Sequence, residues 1–193
     1  MGACRCTGSR IPLIPIYVSL TRRECMIYKN HKPKEKPTDS GVTEQPFVLL
    51  HIPHSSEFIP PDLREKILLS DEELSAELLR MTDHFTDKLF RCDMEVTKTI
   101  IYPVSRLVVD PERFLDDSSE QMAQIAMGAV YTKTSDGRGL RKPPSKEEGQ
   151  ELVRRFYEPQ PAAMEQVARS SLSRWGSCLI IDCHSFPAVP LPL

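Results

Sequence analysis

Short apolar runs alternate with amphipathic segments along the chain from Phe47 onward. The first run, Phe47 to Ile52, is ended by a proline, as is typical of a buried strand. Ser70 then precedes three acidic residues, and apolar residues follow at helical spacing. This capping-box pattern predicts an amphipathic helix over residues 71–91. Two further strand-like runs follow at residues 99–102 and 107–109.

The C-terminal half continues this alternation. Ser145 and Glu148 form a second capping-box pattern, which predicts a helix reaching to about Tyr157. Another helix is predicted over residues 162–175, and the apolar run Cys178–Cys183 is typical of a second buried strand. Because strands alternate with helices, the pattern predicts an α/β domain with a mostly parallel sheet.

The N-terminal region has a different composition from the rest of the chain. Between Asn30 and Pro46 the residues are mainly Lys, Pro, Glu and Thr, with almost nothing to bury. Such a segment cannot offset the conformational entropy that it would lose on folding. The sequence therefore predicts a disordered tail over residues 1–46 and one folded domain over residues 47–193.

Charge and cysteine usage narrow the class of protein. The net charge of -2 gives no basic surface for nucleic acid, and no apolar run approaches the roughly 18 residues that a membrane span needs. The six cysteines have neither the spacing of a disulfide framework nor a CxxC metal pair. We therefore expect a cytoplasmic protein without nucleic-acid or membrane partners.

Two histidines follow predicted strands in the same way. His54 comes after the first buried strand and His184 after the last. Ligands gather at the carboxyl ends of parallel strands, so the two side chains could converge on one metal ion. A hydrolytic zinc needs a third protein ligand, and the candidates are Glu57, in a His-x-x-Glu spacing, and Asp83 on the predicted helix. The alternative is that each histidine is an ordinary loop residue.

Two arginines flank the third apolar run. The planar guanidinium groups of Arg106 and Arg113 suit the binding of a substrate carboxylate. The alternative, which composition alone favours, is that both are surface residues paired with Asp110, Glu112 or Asp116.

Cys183 stands directly before His184, which raises the question of a thiol nucleophile. Neighbouring side chains in a strand point to opposite faces of the sheet, so these two would not form a catalytic couple. Cys183 is therefore predicted to be a small core residue.

Five segments, in this order, resemble the N-formylglutamate amidohydrolase family. That family is similar in fold to the zinc carboxypeptidases, and Asp182–Ser185 resembles the stretch that carries their last histidine ligand. The resemblance implies a three-layer αβα domain and zinc-dependent hydrolysis of an N-formyl or N-acyl amide of an acidic amino acid. The matching segments are HIPHSSEFIP (51–60), MTDHFTDKLF (81–90), YPVSRLVVDPERF (102–114), GAVYTKTSDGRGLR (128–141) and CLIIDCHSFP (178–187).

The resemblance also implies roles for particular residues. It places the metal on His54 and His184 and favours Asp83 over Glu57 as the third ligand. Arg106 and Arg113 correspond to residues that bind the substrate carboxylates. The family pattern reads closer to Asp-Leu-Asn-Arg where this chain has Asp-Pro-Glu-Arg at 110–113, so the usual asparagine is replaced.

The family also continues beyond the position of Leu193, with further strands and a late Glu that resembles a general base. The resemblance therefore predicts a domain that is incomplete on its C-terminal side, with Glu57 as the fallback base. A histidine expected near residues 160–161 is absent as well. The alternative function is a truncated, catalytically inactive fragment of the family.

Overall fold

A computed structural model describes residues 47–187 of the chain, and the predicted tail over residues 1–46 lies outside them. Within this range, three strands form one parallel sheet in the order β2-β1-β3. The central strand β1 pairs with both neighbours, so all three carboxyl ends lie at one edge of the sheet. The strands are β1 (Phe47–Ile52), β2 (Thr97–Ile101) and β3 (Cys178–Asp182). The prediction of a parallel α/β domain is thus confirmed.

Helices of the described part connect these strands. The longest, α5, packs against all three strands. None of the helices between residues 47 and 187 is long and apolar enough to cross a membrane. The helices are α1 (Pro61–Arg64), α2 (Asp71–Met81), α3 (Thr86–Leu89), α4 (Lys146–Leu152) and α5 (Pro159–Trp175), with a short 3₁₀ helix at Gln121–Ile125 and a π-helical stretch at Val153–Tyr157.

The single helix predicted over residues 71–91 is instead two helices, α2 (Asp71–Met81) and α3 (Thr86–Leu89), with a break between them. Helix α2 ends at Met81, Thr82 is extended, and Phe85 adopts a left-handed backbone with φ of 66°. The chain leaves the helix where the backbone N–H of Asp83 donates to the carbonyl of His54, at 2.9 Å. This long-range contact breaks the helical register, so Asp83 lies in a loop beside the end of β1 and not on a helix.

The predicted strand over residues 107–109 is also wrong. Leu107, Val108 and Val109 are fully buried, but they lie in an irregular segment that begins with a turn in which Val108 N–H donates to Ser105 O, at 2.9 Å. Leu107 packs into one hydrophobic cluster, and the two valines pack into another. A short apolar run shows that a segment is buried, but it does not show that the segment is paired in a sheet.

Burial differs between the two strands that were predicted to be buried. Leu49 and Ile52 of the central strand are fully buried, whereas Leu179 and Ile180 of β3 are 42% and 43% exposed. Among the described residues β3 pairs with β1 alone, so its apolar side chains are covered less completely. Cys183, just beyond β3, is buried as predicted, and burial, followed by the charge of Asp182, raises the pKa of its thiol to about 11.

The capping box of α2 provides a first test of the fold. The Ser70 hydroxyl accepts from Glu73 N–H at 3.3 Å, and Ser70 N–H donates to the Glu73 carboxylate at 2.9 Å. Ser70→Ala should therefore lower the free energy of unfolding by about 1 kcal/mol in urea denaturation. Ser75→Ala is the control, because the Ser75 hydroxyl donates its hydrogen bond to Asp71 O of the same helix and does not cap the helix end. Equal losses in the two variants would contradict the assignment.

Candidate metal centre

The two predicted histidines meet at the carboxyl edge of the sheet. His54 lies two residues beyond the end of β1, and His184 two residues beyond the end of β3. These strands are parallel neighbours, so both loops leave the sheet side by side. The centroids of the two imidazole rings are 5.3 Å apart. The structure thus brings together the pair that strand position predicts.

Asp83 lies on the Nδ1 side of both rings. Its Oδ2 atom is 2.7 Å from His184 Nδ1 and 3.8 Å from His54 Nδ1. The bond between its own N–H and His54 O holds the backbone in place. Glu57, the other carboxylate considered from the sequence, is exposed, and its Oε1 atom lies 3.7 Å from His84 Nδ1. The structure therefore brings Asp83, and not Glu57, to the histidine pair.

Glu112 lies on the Nε2 side of the same rings. Its Oε2 atom is 3.4 Å from His184 Nε2 and 3.6 Å from His54 Nε2. Among the described residues, the ligand atoms of His54, Glu112 and His184 all lie within 4.8 Å of one another. Sequence reasoning considered Glu112 only as an ion-pair partner. One sequence signal could have identified Glu112: it stands where the family pattern has an asparagine.

Asp110 is the buried anion that supports this cluster, and the sequence did not identify it as a site residue. Its Oδ1 atom lies 3.0 Å from His54 Nε2, while Oδ2 accepts from Arg106 Nη2 at 2.7 Å and from the Tyr131 hydroxyl at 2.6 Å. Burial favours the neutral acid, but the charges of Arg106 and His54 more than offset it. They hold the pKa of Asp110 well below its usual range.

The two predicted arginines lie on either side of Asp110. Arg106 donates to Asp110 through both Nε and Nη2, and its Nη1 atom is 4.0 Å from Asp83 Oδ1. Arg113 is less engaged: its Nε atom is 3.6 Å from Asp110 Oδ2 and has no hydrogen-bond partner among the described residues. The Tyr157 hydroxyl donates to Arg113 O at 3.0 Å and so anchors this segment to the π-helical stretch. Both arginines thus face Asp110, as the alternative of ion-paired residues expects, but both are partly buried and not surface residues.

A small cavity of about 130 Å³ opens beside His184. Arg80, Asp83, Arg106, His184 and Phe186 are among the residues that line it. A larger groove of about 570 Å³ runs between the sheet and α5, toward the amino end of β1, and none of the cluster residues lines it. The smaller cavity is therefore the relevant one for chemistry at the histidines.

His184 and Asp83 each stabilise the charged form of the other. Burial lowers the pKa of His184, but the facing carboxylates of Asp83 and Glu112 more than offset it and raise the pKa to about 10. Burial also favours the neutral form of Asp83, yet the two imidazoles lower the pKa of that carboxyl to about 2. The two groups therefore form an ion pair when no metal ion competes for the imidazole.

The residues present fit a divalent metal ion. Imidazole nitrogens and carboxylate oxygens are the ligands of catalytic zinc sites, which use three protein ligands. His54 is almost completely buried, and its Nδ1 atom has no hydrogen-bond partner among residues 47–187. A buried, unpaired imidazole nitrogen is a costly feature of a fold unless something binds the ring.

Tyr131 tests the role of the buried Asp110 anion. Tyr131→Phe removes a 2.6 Å hydrogen bond to a buried charge and should lower the free energy of unfolding by about 2 kcal/mol. Tyr102→Phe is the matched control, because Tyr102 is equally buried and its hydroxyl has no partner in the described part of the chain. Urea denaturation should show almost no loss for the control. A similar loss in both variants would show that ring packing, and not the hydrogen bond, is responsible.

These features define a parallel α/β protein with a histidine–carboxylate site at the carboxyl edge of its sheet. The family model of N-formylglutamate amidohydrolase matches residues 47–193, so the chain belongs to the N-formylglutamate amidohydrolase family. The family predicted from the sequence is thus confirmed.

Similarity to a solved structure agrees with this fold. The crystal structure of N-formylglutamate amidohydrolase from Ralstonia eutropha JMP134 is similar with a TM-score of 0.65 and 20% sequence identity. The match covers 73% of this chain and 54% of that one, so this chain spans about half the length of that protein. No curated protein matches the sequence.

Proposed function

We propose that the site hydrolyses the N-formyl or N-acyl amide of an acidic amino acid such as N-formylglutamate, releasing formate and the free amino acid. Membership of the family supports the reaction class. The observation that carries the proposal is the meeting of His54 and His184 between two carboxylates, Asp83 and Glu112. Imidazoles and carboxylates that face one another in this way are typical of metal-assisted hydrolysis.

We propose that a divalent ion, Zn²⁺ by the family resemblance, is held by His54, His184 and one of the carboxylates. Asp83 is the third ligand predicted from the sequence, and Glu112 is the other acid that faces both rings. When bound, such an ion lowers the pKa of a coordinated water and polarises the amide carbonyl.

The arginines are proposed to bind the carboxylates of the substrate. Arg113 is the better candidate, because its guanidinium makes no hydrogen bond through Nε, whereas Arg106 is largely committed to Asp110. Arg106 still lines the cavity beside His184, together with Arg80. The guanidinium groups of Arg80 and Arg106 suit an anionic substrate in this cavity, which Arg113 does not line.

The identity of the general base remains a prediction. The late Glu of the family lies outside the described residues, and the fallback Glu57 lies beside His84, away from the histidine pair. The three-layer, zinc-carboxypeptidase-like arrangement is proposed on the family resemblance, and the cytoplasmic setting on the cysteine usage. The packing of α5 across all three strands agrees with helices covering the sheet.

Formate release provides the test of this function. The chain would be stripped of metal with a chelator and assayed on N-formylglutamate before and after addition of Zn²⁺. We expect turnover only after the addition, and its loss when the chelator is restored. Zinc binding without formate release would contradict the proposal and support the alternative of a catalytically inactive family member.

A substitution at Arg113 tests the substrate class. Arg113→Ala should raise KM for N-formylglutamate by about 10- to 100-fold, because a hydrogen bond to a charged partner contributes about 1.5–3 kcal/mol. Arg154→Ala serves as the control, since Arg154 is exposed and pairs with Glu151, one helical turn away in the chain. An unchanged KM in Arg113→Ala would remove this residue from the substrate site.

A further inference from the structure

Arg80 is a charged residue of the cavity beside His184 that does not belong to the histidine–carboxylate cluster. It stands in the last turn of α2 and lines the cavity together with Arg106. Its Nη1 atom donates to Glu77 Oε2 at 3.2 Å and to Asp136 Oδ2 at 3.3 Å. Its Nε and Nη2 atoms make no hydrogen bond within the described part of the chain. Most of its N–H groups are therefore available for another anion.

The two carboxylates that hold Arg80 have closer partners of their own. Glu77 is completely buried and accepts from Ser135 N–H at 2.6 Å and from the Ser135 hydroxyl at 3.1 Å. Asp136 accepts from Arg138 Nε at 3.1 Å. The bond to Arg80 is thus the longest that each carboxylate accepts from a described residue. The two acids fix the position of the guanidinium without saturating it, so little conformational entropy is lost when an anion binds.

The lining of the cavity suits a carboxylate on a short apolar stem. Its apolar wall is formed by Met81, Phe186 and Pro187, against which methylene groups can pack. The only acid among the described lining residues is Asp83, whose charge is already paired with His184 at 2.7 Å. A carboxylate on one or two methylene groups, as in the side chains of aspartate and glutamate, matches both the cationic and the apolar part of this lining.

The two arginines of the cavity are held by different parts of the fold. Arg106 is bonded to Asp110 in the cluster, and its Nη1 atom is 4.0 Å from Asp83 Oδ1. Arg80 is bonded instead to α2 and to the turn at residues 134–138. In an N-acyl acidic amino acid, the α-carboxylate lies next to the amide and the side-chain carboxylate lies further away. With the amide at the histidines, the α-carboxylate falls near Arg106 and the side-chain carboxylate near Arg80.

We infer that Arg80 is a specificity-determining residue that binds the side-chain carboxylate of the substrate, so that the site prefers acidic over neutral N-formyl amino acids. The inference rests on the proposed function and names the residue that selects the acidic side chain. A purely structural role is the alternative, because a cation in the last turn of a helix interacts favourably with the helix dipole. That role would leave the substrate preference unchanged when Arg80 is replaced.

Formate release from N-formylglutamate and N-formylglutamine tests the inference, because the two compounds differ only in the charge of the distal group. The unmodified chain should prefer N-formylglutamate by about 10- to 100-fold in kcat/KM, as expected for a hydrogen bond to a charged partner. Arg80→Gln should lose most of this preference through a higher KM for N-formylglutamate, with kcat nearly unchanged. Its kcat/KM for N-formylglutamine should stay close to that of the unmodified chain.

Arg138→Gln is the matched control. The Arg138 side chain is 41% exposed, against 38% for Arg80, and it bonds to the same Asp136 carboxylate. It is not among the residues that line the cavity, so this variant should keep the full preference for N-formylglutamate. Arg80→Lys should keep part of the preference, since it retains the charge but not the planar fork. Thermal unfolding of all three variants checks that they fold.

Several results would overturn the inference. One is an undiminished preference for N-formylglutamate in Arg80→Gln. Another is an equal loss on both substrates, or the same loss of preference in Arg138→Gln, either of which would show that the 134–138 turn and not the Arg80 guanidinium is responsible.

Calorimetric binding of the two compounds separates this inference from the proposed function, because binding requires no turnover. Tighter binding of N-formylglutamate that disappears in Arg80→Gln, in a chain that releases no formate, would support the inference while contradicting the proposed function. Equal binding of both compounds by the unmodified chain, or no binding of either, would overturn the inference. Formate release with equal kcat/KM for both compounds would overturn it as well, while leaving the hydrolytic activity in place.

Discussion

His184→Ala is expected to abolish zinc binding and to lower kcat/KM for formate release by about 10³-fold or more. In the proposed mechanism a bound metal ion would stabilise the charge of the transition state by several kcal/mol, and each 1.36 kcal/mol corresponds to about a tenfold change in rate. Removal of this imidazole leaves His54 as the remaining histidine of the proposed metal site, and it also leaves Asp83 buried without its closest partner. Zinc titration and formate release on the same preparations would measure both effects.

His84→Ala is the matched control for this experiment. His84 directly follows Asp83, but its Nε2 atom lies 2.9 Å from Leu79 O and its ring points away from the cluster toward Glu57. We expect near-normal zinc affinity and turnover in this variant. Comparable losses in the two histidine variants would show that the loop, and not the His184 imidazole, is responsible.

Asp110→Asn is expected to lower the free energy of unfolding by about 3–5 kcal/mol at neutral pH. The side chain of Asp110 is completely buried, and its replacement leaves the Arg106 guanidinium without its carboxylate partner. Because the pKa of Asp110 is lower in the folded state than the usual value near 4, its contribution is present above that pH. The contribution is lost as the pH falls through the folded-state pKa.

Urea denaturation at a series of pH values would measure this dependence. The difference in stability between the unmodified chain and Asp110→Asn should be largest near neutral pH and should narrow in acid. Asp116→Asn is the control, because Asp116 is exposed and its side chain bonds only to Ser118 and Ser119 of its own loop. A difference that stays constant down to pH 2 would show that the Asp110 charge is not what stabilises the fold.

Local sequence signals determined the elements whose interactions lie within a few residues of one another. The capping boxes at Ser70 and Ser145 form as predicted, because the bonding groups are three residues apart in the chain. The apolar run of β1 is buried as expected. The proximity of His54 and His184 could be predicted from the sequence, because the carboxyl ends of parallel strands lie at one edge of the sheet.

The positions of the site's carboxylates do not follow from local sequence signals, and only the tertiary structure shows them. Asp83 was expected on a helix, but the bond between its N–H and His54 O ends that helix early and turns the carboxylate toward both rings. Glu112 and Asp110 reach the histidines from a loop whose path depends on packing against two separate hydrophobic clusters. No periodicity in the sequence encodes such a path.

The sequence by itself determined the family, the parallel α/β class and the two histidines, because each depends on local pattern or on strand order. The tertiary structure decided which acids surround the imidazoles and which arginine is committed to Asp110. The physical reason is that a charge inside a protein is positioned by whichever partner can be buried with it. That partner is chosen by long-range packing, which brings residues as distant as Asp83 and His184 to within 2.7 Å.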